Sequence, residues 1–521
     1  MKNSPRFLAL LLALVMLCLS MPALAAEPEY LLPKNKLAAD YFTGKPIDLT
    51  GELTHNGKKV TAIKLSSSKI NLIVGQAYRV KLFVKGTGDL PNFNNTEFTM
   101  SPLRLIEQVD VVDTFSQSAL FFEIIGVRPG KTKLTVSLEG KKASANVTIK
   151  NRANGSLRLS SSTLSLLAGE TAQLDAFAYP GTFPASVSWK SANKKIATVS
   201  SSGRVVAKKK GTVTLTAKRG SYTAKCVVRV ETKPTPMNHF RFSVYENSFA
   251  MVDKYNGSAA HVIIPETYNG YPVCVISNSA FMGNKKLKSV VLPSTTLGVF
   301  SRAFENCSYL QTVVMPDEVI IISENAFKNC ERLRDIAIPS AIKDADLSLG
   351  AFYGCSMLEE AILPNGLREI PAEVFAFNYK LSNVSIPSTV EKINDEAFAN
   401  CFTLRNITIP ASVTQIGAGA FFKCTLLESI TIPDRVATIN TQTFTSCHSL
   451  RTVKIGTGVR SIGYAAFAFC DNLSSITIPA NVTSIDPSAF LFSTTNLTIY
   501  GYRYSYAETF ATERNIRFVA L

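Results

Sequence analysis

Tryptophan occurs once in the 521 residues and histidine four times, and neither supports a catalytic constellation. His55, His239, His261 and His448 stand in no H-E-x-x-H spacing, and no serine lies in a G-x-S-x-G turn, so hydrolase and zinc-enzyme readings have nothing to rest on. Neither a metal nor a cofactor is expected. Long apolar runs are equally scarce. The one candidate, FLALLLALVMLCL at Phe7–Leu19, is shorter than the roughly 20 residues a membrane span needs. Lys2 and Arg6 precede it, and Pro22 and Ala23-Leu24-Ala25 follow, so residues 1–26 read as a signal peptide. The mature chain is therefore expected to be secreted or held at a cell surface without a membrane span.

Acidic residues are missing from one region in particular. Residues 151–233 hold 14 Lys and Arg against 3 Asp and Glu, whereas 1–150 hold 19 against 12 and the remainder 22 against 24. Most of the formal charge of +16 thus belongs to the N-terminal half, which suits long-range attraction of an anionic polymer as well as a plain solvated surface.

What the chain has in plenty is repetition. Phe281, Phe304, Phe327, Phe352, Phe375, Phe398, Phe421, Phe444, Phe467 and Phe490 recur every 23 residues, with one step of 25. Each unit reads I-x-x-x-A-F-x-x-C-x-x-L-x-x-I-x-I-P, as in INDEAFANCFTLRNITIP. A unit so short cannot bury its own apolar face and is stable only when stacked on its copies. The alternation predicts a short strand with Ile407 and Ile409 inward and Thr408 outward, closed by Pro410. The cysteine position holds Asn284, Asn378 and Ser493 in some turns, so it is read as a place for a small core residue. Disulfides between turns and a metal row are the weaker alternatives.

Two other copies precede the repeats. LSSSKINLIVGQAYRVKL from Leu65 and LSSSTLSLLAGETAQLDA from Leu159 share a triple serine, apolar alternation and a turn glycine. They predict two antiparallel β-sandwiches, with Trp189 as a core plug. The expected organisation is an N-terminal segment at 27–59, sandwiches at 60–150 and 151–232, a linker at 233–240 containing Pro234 and Pro236, and the solenoid at 241–521.

The stretch WKSANKKIATVSSSGRVVAKKKGTVTLTA, Trp189–Ala217, resembles the signature of group 2 bacterial Ig-like domains. The copy at 60–150 lacks the W-x-S and I-A-T-V elements and is a divergent relative. The 23-residue unit resembles the BspA-like leucine-rich repeats of bacterial surface proteins, and YGYRYSYAETFATERNIRFVAL resembles their terminal cap, with the tyrosines alternating as one strand and AETFATERN as a helix. These resemblances imply a mainly β protein: two Ig-like sandwiches, then a leucine-rich-repeat solenoid of about ten turns with a cap. They also imply adhesion or recognition, with a host extracellular-matrix protein or a bacterial surface protein as partner. An envelope-binding or scaffolding protein held to an anionic polymer by the basic Ig-like domain is a second reading, and an accessory recognition module of an extracellular enzyme system a third. Neither enzymatic activity nor a specific nucleic acid is expected.

The outward residues of the first solenoid strands, Val291, Val314, Ala337 and Ile362, are apolar, and Asp335 and Glu360 stand in the polar row beside them. Stacked about 4.8 Å apart they would form an exposed strip suited to a partner. The competing expectation is that the segment HFRFSVYENSFAMVDKY or the Ig-like pair folds back and covers it.

Overall fold

The computed structural model describes residues 60–521 apart from 66, 74–76, 87–96, 102–105, 117–118, 127–129, 139–140, 151–155, 160–162, 175, 180–185, 344–345 and 494–496. The leader and the segment 27–59 lie outside the described residues.

Residues 60–150 form a sandwich. One sheet runs Val60–Leu65, Ala77–Gly86, Ala119–Gly126, Ile106–Ser116, the other Lys69–Ile73, Lys141–Lys150, Gly130–Leu138, Glu97–Ser101. Alternation sends Val80, Leu82, Leu134, Val136 and Val147 into the shared core. In the second sandwich Thr163–Leu167, Tyr222–Glu231, Gly211–Arg219 and Ser188–Ser191 make one sheet, and Thr171–Gln173, Arg204–Ala207 and Ala197–Val199 another. Trp189 is half-buried against this core, in its expected place.

The sheets are not antiparallel throughout. In both sandwiches the strand after the triple serine pairs parallel with the last strand, Lys69–Ile73 with Asn146–Lys150 and Thr163–Leu167 with Val227–Glu231. In both copies the strand before the serines and the strand after them belong to different sheets, so the chain meets its final strand running the same way. The two copies share this parallel pairing despite the missing W-x-S and I-A-T-V elements.

The solenoid has about eleven turns over residues 250–520. Strands pair in parallel one repeat apart, as Ser289↔Thr312, Glu360↔Asn383 and Ser429↔Thr452. Ile407 and Ile409 are buried and Thr408 is exposed, as the alternation requires, although in this turn the expected strand is reduced to an isolated bridge from Asn406 to Ser429. Inside, the phenylalanines stack as a spine, with centroids 4.8 Å apart for Phe281–Phe304 and 5.9 Å for Phe352–Phe375. Tyr255 extends the spine at one end and Phe510 at the other. After each strand the proline carbonyl accepts a turn bond, as from Val413 N to Pro410, and Gly456 does the same for Val459 without the ring.

The cysteine row has a more specific requirement than small size. Each thiol donates to the carbonyl of the preceding turn's phenylalanine, Cys401 to Phe375 at 3.3 Å and Cys470 to Phe444 at 3.2 Å. Asn378 Nδ2 and Ser493 Oγ donate to the equivalent carbonyls of Phe352 and Phe467 at 3.2 and 2.7 Å. The position therefore takes a short donor, and Cys, Asn and Ser interchange because all three are short donors. The nine cysteines among the described residues are free thiols.

The cap departs from expectation at the tyrosines. The strand stops at Gly501, Tyr504 turns into the left-handed region at φ 63°, and its side chain is 96% exposed. The helix Tyr506–Glu513 then buries Ala507, Phe510 and Ala511 over the last turn. Beyond it Arg517–Ala520 adds one more parallel strand, which the sequence reading missed.

Two stability outcomes follow. Phe398→Ala should cost about 3–5 kcal/mol in chemical denaturation, because a large side chain leaves a dry stack. Cys424→Val should cost more than Cys424→Ser, because valine removes one of the two donors to the Phe398 carbonyl and leaves it only the 3.3 Å bond from Cys401 N. Equal losses for the two cysteine variants would remove the donor requirement.

Candidate functional site

The broad strand face of the solenoid is divided into a covered part and an open part. At its start the strand Thr163–Leu167 of the second sandwich lies across it. Ser165 and Ser289 place their hydroxyls 3.3 Å apart, and both are buried, at 3% and 2% exposure. Val314 packs against the core of the sandwich, and Val291 is only 5% exposed. His261 Nδ1 lies 2.8 Å from the Ser289 hydroxyl, and burial first, then the charges of Arg229 and Lys288, hold its pKa below the ordinary value. Thr235 N donates to Ile263 O at 2.9 Å and Thr235 Oγ1 accepts from Ile263 N at 3.0 Å, so the segment read as a linker is pinned to the first strand.

The expected strip is thereby corrected. Val291 is buried and Val314 half-buried under the Ig-like domain. The side chains of Asp335 and Ala337 lie outside the described residues, although their backbone forms a strand paired with Glu360–Ile362. Ile362 alone of the four apolar positions is shown exposed, at 38%. It and the half-buried Glu360 line a shallow groove of about 300 Å³ with Asn383, Ser385, Ile386 and Thr408. The outward residues beyond, Ser385, Thr408, Thr431, Lys454 and Thr477, are all exposed. The structure thus brings Glu360 and Ile362 together and separates them from Val291 and Val314. Sequence reasoning missed Ser165 and Arg229 as docking residues.

No cluster of three His, Cys, Asp or Glu able to hold a metal occurs among the described residues. Cys447 and His448, adjacent in sequence, diverge. The Cys447 thiol is buried and donates to the Phe421 carbonyl, while His448 Nδ1 lies 2.9 Å from Asp471 Oδ2. Burial pushes the Cys447 pKa well above that of an ordinary thiol, opposite to the shift that arms a nucleophile.

On another edge of the turns, the residue at the second position before the phenylalanine holds positive φ in nine of the ten, among them Glu373 at 55° and Glu396 at 53°. Burial, then the neighbouring Glu373 and Asp395, raise the Glu396 pKa to about 7. The folded chain therefore keeps a proton that the unfolded chain has already released. That contribution to stability is complete below the ordinary carboxylate pKa of 4.5 and is lost as pH rises towards 7. Melting temperature should fall between pH 5 and pH 8, and Glu396→Gln should reduce that fall. An unchanged fall would relocate the titration to other groups. For the docking face, Val314→Lys should destabilise the full chain, whereas Thr431→Lys should stay within about 0.5 kcal/mol in the same denaturation assay.

Known proteins repeat this architecture in parts. Residues 274–405 and 368–498 match the BspA type leucine rich repeat region in six copies, and residues 155–228 match the group 2 bacterial Ig-like domain. Comparison with curated proteins finds no match. Among solved structures, a leucine rich cell surface protein of Faecalibacterium prausnitzii shares 27% identity, covering 52% of this chain and 89% of its own, with a TM-score of 0.39. A leucine-rich repeat protein of Bacteroides ovatus shares 22%, covering 56% of this chain and all of its own, with a TM-score of 0.31. The pneumococcal vaccine antigen PcpA shares 15%, covering 56% and 98%, with a TM-score of 0.29. The chain is accordingly built on a BspA-type leucine-rich repeat region preceded by a group 2 bacterial Ig-like domain.

Proposed function

We propose that this is an exported binding protein that recognises a protein partner through the open part of its strand face, Glu360 to Thr431, with the Ig-like pair as its stalk. The repeat family supports the coarser reading of an extracellular, repeat-based recognition protein. The observation that carries the site is the groove at Ile362. There an exposed apolar side chain stands beside Glu360 and above the amide and hydroxyls of Asn383, Ser385 and Thr408. An apolar anchor with polar groups around it is the chemistry of a protein-binding patch. The partner is a host extracellular-matrix protein or a bacterial surface protein.

The test is binding to purified fibronectin and fibrinogen and to whole bacterial cells. Ile362→Lys with Ser385→Lys should weaken binding about tenfold or more at unchanged melting temperature. Tyr309→Lys, which alters an exposed ring stacked under Arg332, should leave it unchanged. Equal binding by all three proteins would place recognition elsewhere.

A further inference from the structure

The second sandwich carries a concentration of lysines that the strand-face reading does not use. Lys194 and Lys195 lie in the loop after Ser188–Ser191, and Lys208, Lys209 and Lys210 in the loop before Gly211–Arg219; all five are exposed. The two loops are clamped together, because Lys208 N and Lys209 N both donate to Ile196 O, at 2.7 and 3.2 Å. Ile196 also fills the space beside Gly211, where an added Cβ would come within 2.9 Å of its Cδ1. Inside the first loop, Asn193 Oδ1 accepts from Lys195 N at 3.0 Å, and Ser191 Oγ donates to Ala197 O at 2.7 Å. The lysines therefore project from a fixed double loop. The salt bridge the structure shows within the cluster is Lys210 to Glu231 at 3.3 Å. Glu170, the other acidic residue whose side chain is described in this domain, turns its carboxylate to Leu167 N at 2.6 Å.

The geometry points to this double loop as a docking site for a linear phosphodiester polymer of the bacterial envelope, such as a poly(glycerol phosphate) chain. Among the described residues no salt bridge is shown to the other four lysines, and the backbone that carries them is already ordered, so binding a polyanion requires ordering of the lysine side chains alone. Lysine binds phosphate as a compact point charge, and neither loop contains arginine, so the site is suited to a chain of spaced single charges and not to bidentate capture of one group. Aromatic residues are also absent from both loops, and with them the stacking platforms that single-stranded nucleic acids use. The choice of envelope polymer rests on the surface location in the proposed function; the site itself does not depend on the strand face.

The experiment uses the full mature chain and immobilised poly(glycerol phosphate), with heparin and double-stranded DNA as competing surfaces, each at two salt concentrations. Replacing Lys194, Lys195, Lys208 and Lys209 with Gln should weaken binding about tenfold or more and flatten its salt dependence. The control replaces Lys190, Lys218, Arg219 and Lys225 with Gln. It removes the same charge from other parts of the domain and should cost about threefold or less. Equal losses in the two variants would mean a diffuse field and overturn the site. Tighter binding of the parent chain to heparin or DNA than to the phosphate polymer would overturn the assigned partner. Ile362→Lys with Ser385→Lys should leave polymer binding unchanged, which separates failure here from failure of the protein-recognition site.

Discussion

A turn of 23 residues has more apolar surface than it can enclose, and each turn here completes its interior only with atoms of its neighbours. Two contacts express that dependence. The phenylalanine ring of each turn is covered by the next ring, and its carbonyl takes a second hydrogen bond from a cysteine, asparagine or serine of the following turn. The same carbonyl also accepts the backbone N–H three residues on, as Phe421 O does from Cys424 N at 3.1 Å, so the side-chain donor fills its second acceptor site and contributes about 0.5–1.5 kcal/mol per turn. The row is therefore a polar ladder inside an apolar stack. Its thiols are held protonated by burial, which fits a structural role better than a redox one.

The same dependence makes the ends of the stack costly, and different devices close them. At the far end the helix Tyr506–Glu513 and the strand Arg517–Ala520 complete the last turn. At the near end the hairpin Phe240–Tyr245 and Phe249–Tyr255 joins the sheet, and Tyr255 lies on the first phenylalanine. The second sandwich then covers the first strands from the side through Ser165 and Val314. The second sandwich and the solenoid thus meet over buried surface, and the strand face opens only after the covered turns.

Much of this was legible because it depends on short-range pattern. The period, the inward Ile407 and Ile409, the cap helix and the core role of Trp189 all follow from spacing within a few residues. The donor role of the cysteine row was also written in the substitutions Asn378 and Ser493, whose common property is a short donor as much as a small volume. The cover over Val291 stood in the sequence only as a competing expectation, because it comes from Ser165 and its strand, 124 positions away from Ser289, and alternation within a strand says nothing about what lies above it. The tyrosine alternation misled for a local reason. Tyr504 takes a left-handed φ, and with it the side-chain period of a strand ends.

The division of the strand face into a covered and an open part is the point on which both the architecture and the proposed recognition rest. Hydroxyl-radical footprinting of the full chain, read residue by residue by mass spectrometry, tests it directly. The account predicts rapid modification of Ile362 and protection of Val291 and Val314, with Val314 intermediate. Modification of Val314 and Val291 at the rate of Ile362 would show an uncovered strip along the whole face and contradict the docked arrangement.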